Sequence, residues 1–133
     1  MNVRIIADST ADLMPNIKEQ VQVVPLTVHF GEQEYLDGVT IDKKEFYEKL
    51  IESDVLPTTS QATPDAFMTE LDKAKEAGDS VVVITLSAQL SGTYQSAVAA
   101  AEGAERDLIE LVAVVKVAYC SDRVVEVPVN IIS

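Results

Sequence analysis

Three short segments concentrate the residues that could do chemistry. They are Asp8-Ser9-Thr10-Ala11-Asp12, Thr58-Thr59-Ser60-Gln61 and Ser87-Ala88-Gln89-Leu90-Ser91-Gly92-Thr93. Each is rich in hydroxyls, and the third leads into an Ala-rich helical stretch. The free N–H groups and dipole at the start of a helix favour an anion. Gly92, lacking a Cβ, would let a ligand come close to the backbone. Hydroxyl donors beside such a terminus suit a carboxylate or a phosphate. A second reading stays open, in which Ser91 or Thr93 merely caps the helix.

Other chemistries fit poorly. Asp8 and Asp12 stand four apart, whereas an attacking aspartate and its acid–base partner would be expected two apart after the first strand. Neither the G-x-S-x-G nucleophile elbow nor the G-x-x-x-x-G-K-[ST] phosphate loop occurs. A serine nucleophile needs a positioned base. The one histidine, His29, lies mid-strand, where it reads as a partly exposed strand residue, and no histidine is near Ser91 in sequence. Cys120 has only Arg123 as a cationic neighbour and reads as an inert thiol. No metal site and no cofactor are expected.

Charge narrows the partners. The 133 residues hold 10 Lys plus Arg against 22 Asp plus Glu, a formal net charge of −12. Nucleic acid, bound through phosphate neutralisation, is disfavoured. An anionic membrane surface is disfavoured for the same reason. No apolar run reaches the roughly 18 residues that span a bilayer. The first apolar run is broken by Asp8, so it does not read as a signal peptide. A single cysteine makes no intrachain disulfide. Together these features point to the cytoplasm.

The elements that must position the three segments follow from hydrophobic pattern and turn chemistry. Val3 to Ala7 reads as a strand buried on both faces. A short helix is expected through Met14, Pro15 and Ile17. Leu26, Val28 and Phe30 alternate with Thr27 and His29, a half-exposed strand, and Pro25 argues against a central paired position just before it. Gln33 to Tyr35 folds back as a short hairpin arm. Asp42 with Glu45 fits a capping box ahead of a helix whose Phe46, Tyr47, Leu50 and Ile51 share one face. Pro57 to Gln61 reads as a polar loop. Thr63 caps a helix with Pro64 at its first position, and Gly78 ends it. Val81 to Leu86 is the strongest strand, and Tyr94 to Ala101 is a helix ending near Gly103. Strands and helices alternate through residue 103, which implies an α/β fold with a mostly parallel sheet and flanking helices. The remainder reads as a C-terminal strand pair, Leu108 to Ala118 and Val125 to Ile131, joined through Cys120 to Arg123. The expected division is an α/β lobe over 1–103 and a strand-rich tail over 104–133 that completes or extends it.

Taken in order, the loops form a set. Residues 5 to 13 read I-I-A-D-S-T-A-D-L, and 23 to 38 read V-V-P-L-T-V-H-F-G-E-Q-E-Y-L-D-G. Residues 57 to 61 read P-T-T-S-Q, and 86 to 97 read L-S-A-Q-L-S-G-T-Y-Q-S-A. This resembles the N-terminal lobe of the DegV family of fatty-acid-binding proteins, over residues 1 to about 103. The resemblance implies two α/β lobes holding one long-chain fatty acid, with no catalysis of their own. It implies that the carboxylate is presented to a separate fatty acid kinase. By the same resemblance, Thr59 and Ser91 contact the carboxylate, and Ser60, Gly92 and Thr93 are weaker candidates beside them. Asp8 and Ser9 belong to the family's first loop without an assigned role.

Elementary energetics agree with such a ligand. About 14 buried methylenes at about 0.8 kcal/mol each give roughly 11 kcal/mol of gross transfer energy. Association costs of about 4–15 kcal/mol oppose it, so tight binding needs a nearly enclosed tail. Family members are about twice as long, and the tail after about residue 103 departs from their pattern. A truncated or frame-altered product, or a divergent lobe, is therefore expected. Two alternatives to the carrier stand: a binding-incompetent lobe, and an enzyme that handles a small phosphate or carboxylate on the same loops. Unpaired strand edges in the tail would favour a homodimer.

Overall fold

The computed structural model describes residues 2–104 and two further strands, Val112–Val117 and Val129–Ile132. In chain order the strands are β1 (Val3–Asp8), β2 (Val21–Val24), β3 (Thr27–Phe30), β4 (Gln33–Leu36), β5 (Thr58–Ser60), β6 (Ser80–Leu86), β7 (Val112–Val117) and β8 (Val129–Ile132). The helices are α1 (Pro15–Lys18), α2 (Lys43–Glu52), α3 (Pro64–Ala77) and α4 (Thr93–Gly103), and a 3-10 turn follows β1 at Ser9–Ala11.

The larger sheet runs β2-β1-β6-β7-β8. Its first four strands are mutually parallel, and β8 lies antiparallel to β7. This is the expected α/β architecture, with β6 at the centre and the expected strand pair at one edge. The Cys120 to Arg123 connection lies outside the described residues. Buried Ile6 of β1 and Val81 and Val83 of β6 meet Phe67, Leu71 and Ala74 of α3 and Ala97 and Ala100 of α4. β1 is not buried on both faces throughout: Val3 is exposed at its start, and burial is complete only from Ile6 to Asp8. Arg4 pairs with Asp79 at 2.9 Å and ties the start of β1 to the turn before β6.

Local signals place the helices. Asp42 Oδ1 accepts the Glu45 N–H at 2.8 Å, and Thr63 Oγ1 accepts the Ala66 N–H at 3.2 Å. Pro64 opens α3, and Gly78 closes it in the left-handed region at φ 70°, which a Cβ would disfavour. No helix of the described residues is long and apolar enough to cross a membrane.

A second, three-stranded antiparallel sheet runs β4-β3-β5. Pro25 marks where the chain leaves one sheet for the other, since β2 ends at Val24 and β3 starts at Thr27. The hairpin arm forms as expected. Thr58 to Ser60, however, is not a loop. It pairs with β3, Val28 opposite Thr59. Val28, Phe30 and Ile41 form a small core with Tyr35 and Phe46 against it. Of the apolar face expected on α2, Phe46 reaches Phe30, with ring centroids 5.7 Å apart. Tyr47 and Ile51 are left 60% and 85% exposed.

Candidate functional site

The carboxyl ends of β1 and β6 are held together by one buried side chain. Asp8, 1% exposed, accepts the Leu86 N–H on Oδ2 at 2.7 Å. Its Oδ1 accepts the Thr10 N–H at 2.7 Å and the Thr10 hydroxyl as well. Ser9 Oγ accepts the Leu26 N–H at 3.0 Å, a donor that sits between the two sheets and outside both. Asp8 and Ser9 thus fasten the first loop to its neighbours.

The loop after β6 is wound by its own groups. Ser87 O accepts the N–H groups of Leu90 at 2.9 Å and Ser91 at 3.2 Å. Gly92 occupies the position that caps α4, so neither Ser91 nor Thr93 is the N-cap. Ser91 Oγ instead accepts the Thr93 N–H at 3.2 Å and lies 3.0 Å from Thr93 Oγ1. Thr93 is 0% exposed and accepts the Ala62 N–H at 3.3 Å, which joins the segment after β5 to the start of α4. Thr93 is a tie behind the site, not part of its wall.

These anchors shape a cleft of about 470 Å³ between the two sheets' loops, within the range of small-molecule sites. Thr59, Ser60 and Gln61 line it from one side, Leu90, Ser91 and Gly92 from another, and Thr10, Leu26, Asp37 and Leu86 complete it. Of the five residues named by the resemblance, Thr59, Ser60, Ser91 and Gly92 therefore share one wall-set, and Thr93 does not. None of these lining residues is Lys or Arg. An anion here would meet the hydroxyls of Thr10, Thr59, Ser60 and Ser91 and no cationic side chain, with the Asp37 carboxylate on the same lining. An adjoining hollow of about 500 Å³ shares Thr10 and Leu86 and adds Asp8, Asp12 and Thr85. Among the described residues no group of His, Cys, Asp or Glu is arranged to hold a metal ion.

The chain matches the family described as "Uncharacterised protein, DegV family" over residues 2–120. It belongs to the DegV family. The match reaches further than the resemblance read from the sequence, whose last motif ends at residue 97 and which spans residues 1 to about 103. A DegV domain-containing protein of Clostridium perfringens is 40% identical over 112 residues, 83% of this chain and 40% of the relative. The solved structure of a fatty-acid-binding DegV family protein from Thermus thermophilus is 36% identical with a TM-score of 0.73, covering 87% of this chain and 41% of that one. A stearic acid-binding protein from Eubacterium ventriosum gives a TM-score of 0.74 at 32% identity, covering 80% and 38%. The chain spans about two-fifths of the length of these relatives.

The packing of two further residues at and beside the cleft escapes a reading by sequence. Gln61 donates through Nε2 to Ser96 Oγ at 3.1 Å, and its amide carbon lies 2.7 Å from where a Cβ of residue 92 would stand. The open backbone at Gly92 is thus filled by Gln61. The other is His29. It was expected as a partly exposed strand residue, and it is one, in β3 with its side chain 22% exposed; its partners are what the sequence does not show. Its Nε2 lies 2.6 Å from Ser60 Oγ, and its Nδ1 lies 3.4 Å from Glu34 Oε1. The strand alternation that turns Val28 and Phe30 inward turns His29 toward the opposite face, and the pairing of β5 with β3 brings Ser60 there. That pairing is invisible in a three-residue segment.

Proposed function

We propose that this DegV chain binds a long-chain fatty acid, its carboxylate held by Thr59 and Ser91 beside the start of α4, and presents it to a fatty acid kinase. One observation carries the reading. Thr59 on β5 and Ser91 ahead of α4, distant in sequence, line a single cleft. The hydrogen bonding of Ser91 supports a donor role. Its oxygen accepts the Thr93 N–H, and Thr93 Oγ1 stands 3.0 Å away. When Thr93 supplies the proton between the two hydroxyls, the Ser91 O–H is left to donate to a ligand. A carboxylate can accept two hydroxyl donors beside a helix N-terminus, whose dipole favours negative charge and opposes the repulsion of Asp37 on the same lining. Leu26, Leu86 and Leu90 offer apolar surface to the first methylenes. Solved relatives that bind fatty acid and stearic acid point the same way.

The test is direct. The 133-residue chain is titrated with a fluorescent fatty acid and competed with oleate and with oleyl alcohol, and native mass spectrometry counts bound lipid. Displacement by oleate but not by the alcohol supports a carboxylate site. A chain that stays bare at every concentration is the binding-incompetent lobe instead. Presentation to a kinase is checked by adding a fatty acid kinase with ATP and measuring acyl phosphate with and without this chain.

A further inference from the structure

Three residues meet on the smaller sheet in the order that nucleophilic catalysis uses. β5 carries Ser60, β3 carries His29 and β4 carries Glu34. His29 and Glu34 stand directly opposite in the β3–β4 register. Ser60 Oγ lies 2.6 Å from His29 Nε2, and His29 Nδ1 lies 3.4 Å from Glu34 Oε1. A carboxylate beside Nδ1 favours the tautomer with its proton there, leaving Nε2 to accept the Ser60 proton. Nucleophile, base and orienting carboxylate are recognised by this geometry and not by their order along a chain.

The surroundings suit an acyl substrate. Ser60 lines the same cleft as Thr59, Ser91 and Gly92. Side-chain hydroxyls and helix N-terminal amides can stabilise an oxyanion as it develops. The Thr59 and Ser91 hydroxyls, assigned above to a fatty acid carboxylate, line the cleft with Ser60 and are the donors an oxyanion there would meet.

We propose that Ser60, activated by His29, is an acyl-accepting nucleophile that hydrolyses long-chain acyl esters in this cleft and leaves the fatty acid as product. The proposal rests on the carrier reading for one point, that the acyl chain occupies the cleft. In the first step Ser60 Oγ bonds to the ester carbonyl carbon and its proton passes to His29 Nε2. The carbon–oxygen bond to the alcohol breaks, and His29 returns the proton to the departing alkoxide. In the second step water attacks the Ser60 ester with His29 as base. The proton then goes to Ser60 Oγ, and the fatty acid is released to the Thr59 and Ser91 hydroxyls. No oxidant, metal or cofactor enters. Glu34 is 68% exposed, so its orienting effect is screened and the turnover is slow. The class of reaction that supplies the substrate is the esterification of a long-chain acid.

The full chain is treated with an alkyl fluorophosphonate, the modified serine is mapped by peptide mass spectrometry, and p-nitrophenyl laurate hydrolysis is followed in parallel. Label at Ser60 is expected. It should be absent in Ser60→Ala and slowed at least about 100-fold in His29→Gln, the size of a general-base contribution. Glu34→Gln should slow it several-fold. Far-UV circular dichroism and urea midpoints establish that each variant folds. An unlabelled wild-type chain, label on another serine, or an unchanged rate in folded His29→Gln overturns the proposal. Oleate binding by the unmodified chain is measured separately. A chain that binds oleate yet resists the fluorophosphonate loses the nucleophile and keeps the carrier. A chain labelled at Ser60 that binds no oleate keeps the nucleophile and loses the carrier.

Discussion

The Gln61 side chain occupies the space that a Cβ would need at Gly92. A methyl there would stand 2.7 Å from the Gln61 amide carbon and 3.1 Å from its Nε2. The glycine therefore serves packing between the segment after β5 and the start of α4. Gly92→Ala must displace Gln61 and break its bond to Ser96. Overpacking of this kind costs about 1–3 kcal/mol, read as a lower urea midpoint. Adding Gln61→Ala should relieve part of it, so that the double variant loses less than the sum of the singles. Strict additivity would show that the two side chains do not compete.

The buried Asp8 carboxylate makes a second prediction. It accepts the Leu86 N–H and two donors from Thr10. Asp8→Ala leaves two backbone donors without their acceptor, at about 1–3 kcal/mol for each group left unsatisfied. Expected are a stability loss of about 2–6 kcal/mol and faster amide exchange at Leu86. Asp8→Asn keeps one acceptor but turns an NH2 toward a donor, so it should recover only part. Leu86 exchange that stays slow in Asp8→Ala would rule out this tether.

What the amino-acid sequence revealed was whatever neighbours in the chain decide. The caps at Asp42 and Thr63 and the stop at Gly78 depend on residues within one turn, and all three form. Val81 to Leu86 is β-branched over most of its length and becomes the central strand. Failures arose where distant pairing decides. Thr58 to Ser60 is too short to show a period, so its pairing with β3 was hidden, and with it the approach of His29 to Ser60. The face Phe46-Tyr47-Leu50-Ile51 is correctly periodic, but periodicity does not say what covers a face, and Tyr47 and Ile51 stand open. That Thr59 and Ser91 line one cleft had no local sign, since two hydroxyls so far apart in the chain do not show that they share a wall.

Lys43 offers a test by pH. Its pKa is raised above the ordinary 10.5, first by its hydrogen bond to Asp12 and then by the charge of Asp12. A folded-state pKa above the unfolded one means the pair contributes fully below the unfolded value. The contribution is lost as pH rises through the folded value. The window thus opens above about pH 10.5. The pair is on the surface, so salt should weaken it. An NMR titration of the Lys43 ammonium should show the upward shift in the wild type and a smaller one in Asp12→Asn, where Tyr47 and Asp37 still act. An undiminished shift in Asp12→Asn would assign it to those other charges.

The hydroxyls of the cleft give the last prediction, conditional on the fatty acid reading. A hydrogen bond to a charged group contributes about 1.5–3 kcal/mol, so Thr59→Ala and Ser91→Ala should each weaken oleate binding by roughly 10- to 150-fold. Thr93→Val should act differently. Thr93 lies behind the wall, accepts the Ala62 N–H and stands beside Ser91 Oγ. Its loss removes the partner that would direct the Ser91 proton toward a ligand, and it also leaves a buried donor unpaired. Thr93→Val should therefore lower both the urea midpoint and oleate affinity. Ser91→Ala, at a half-buried position, should lower mainly the affinity. Calorimetric titration with oleate beside urea unfolding separates the two effects. Equal stability losses in both variants with unchanged affinity would reduce Ser91 to a loop-forming residue and move the carboxylate elsewhere.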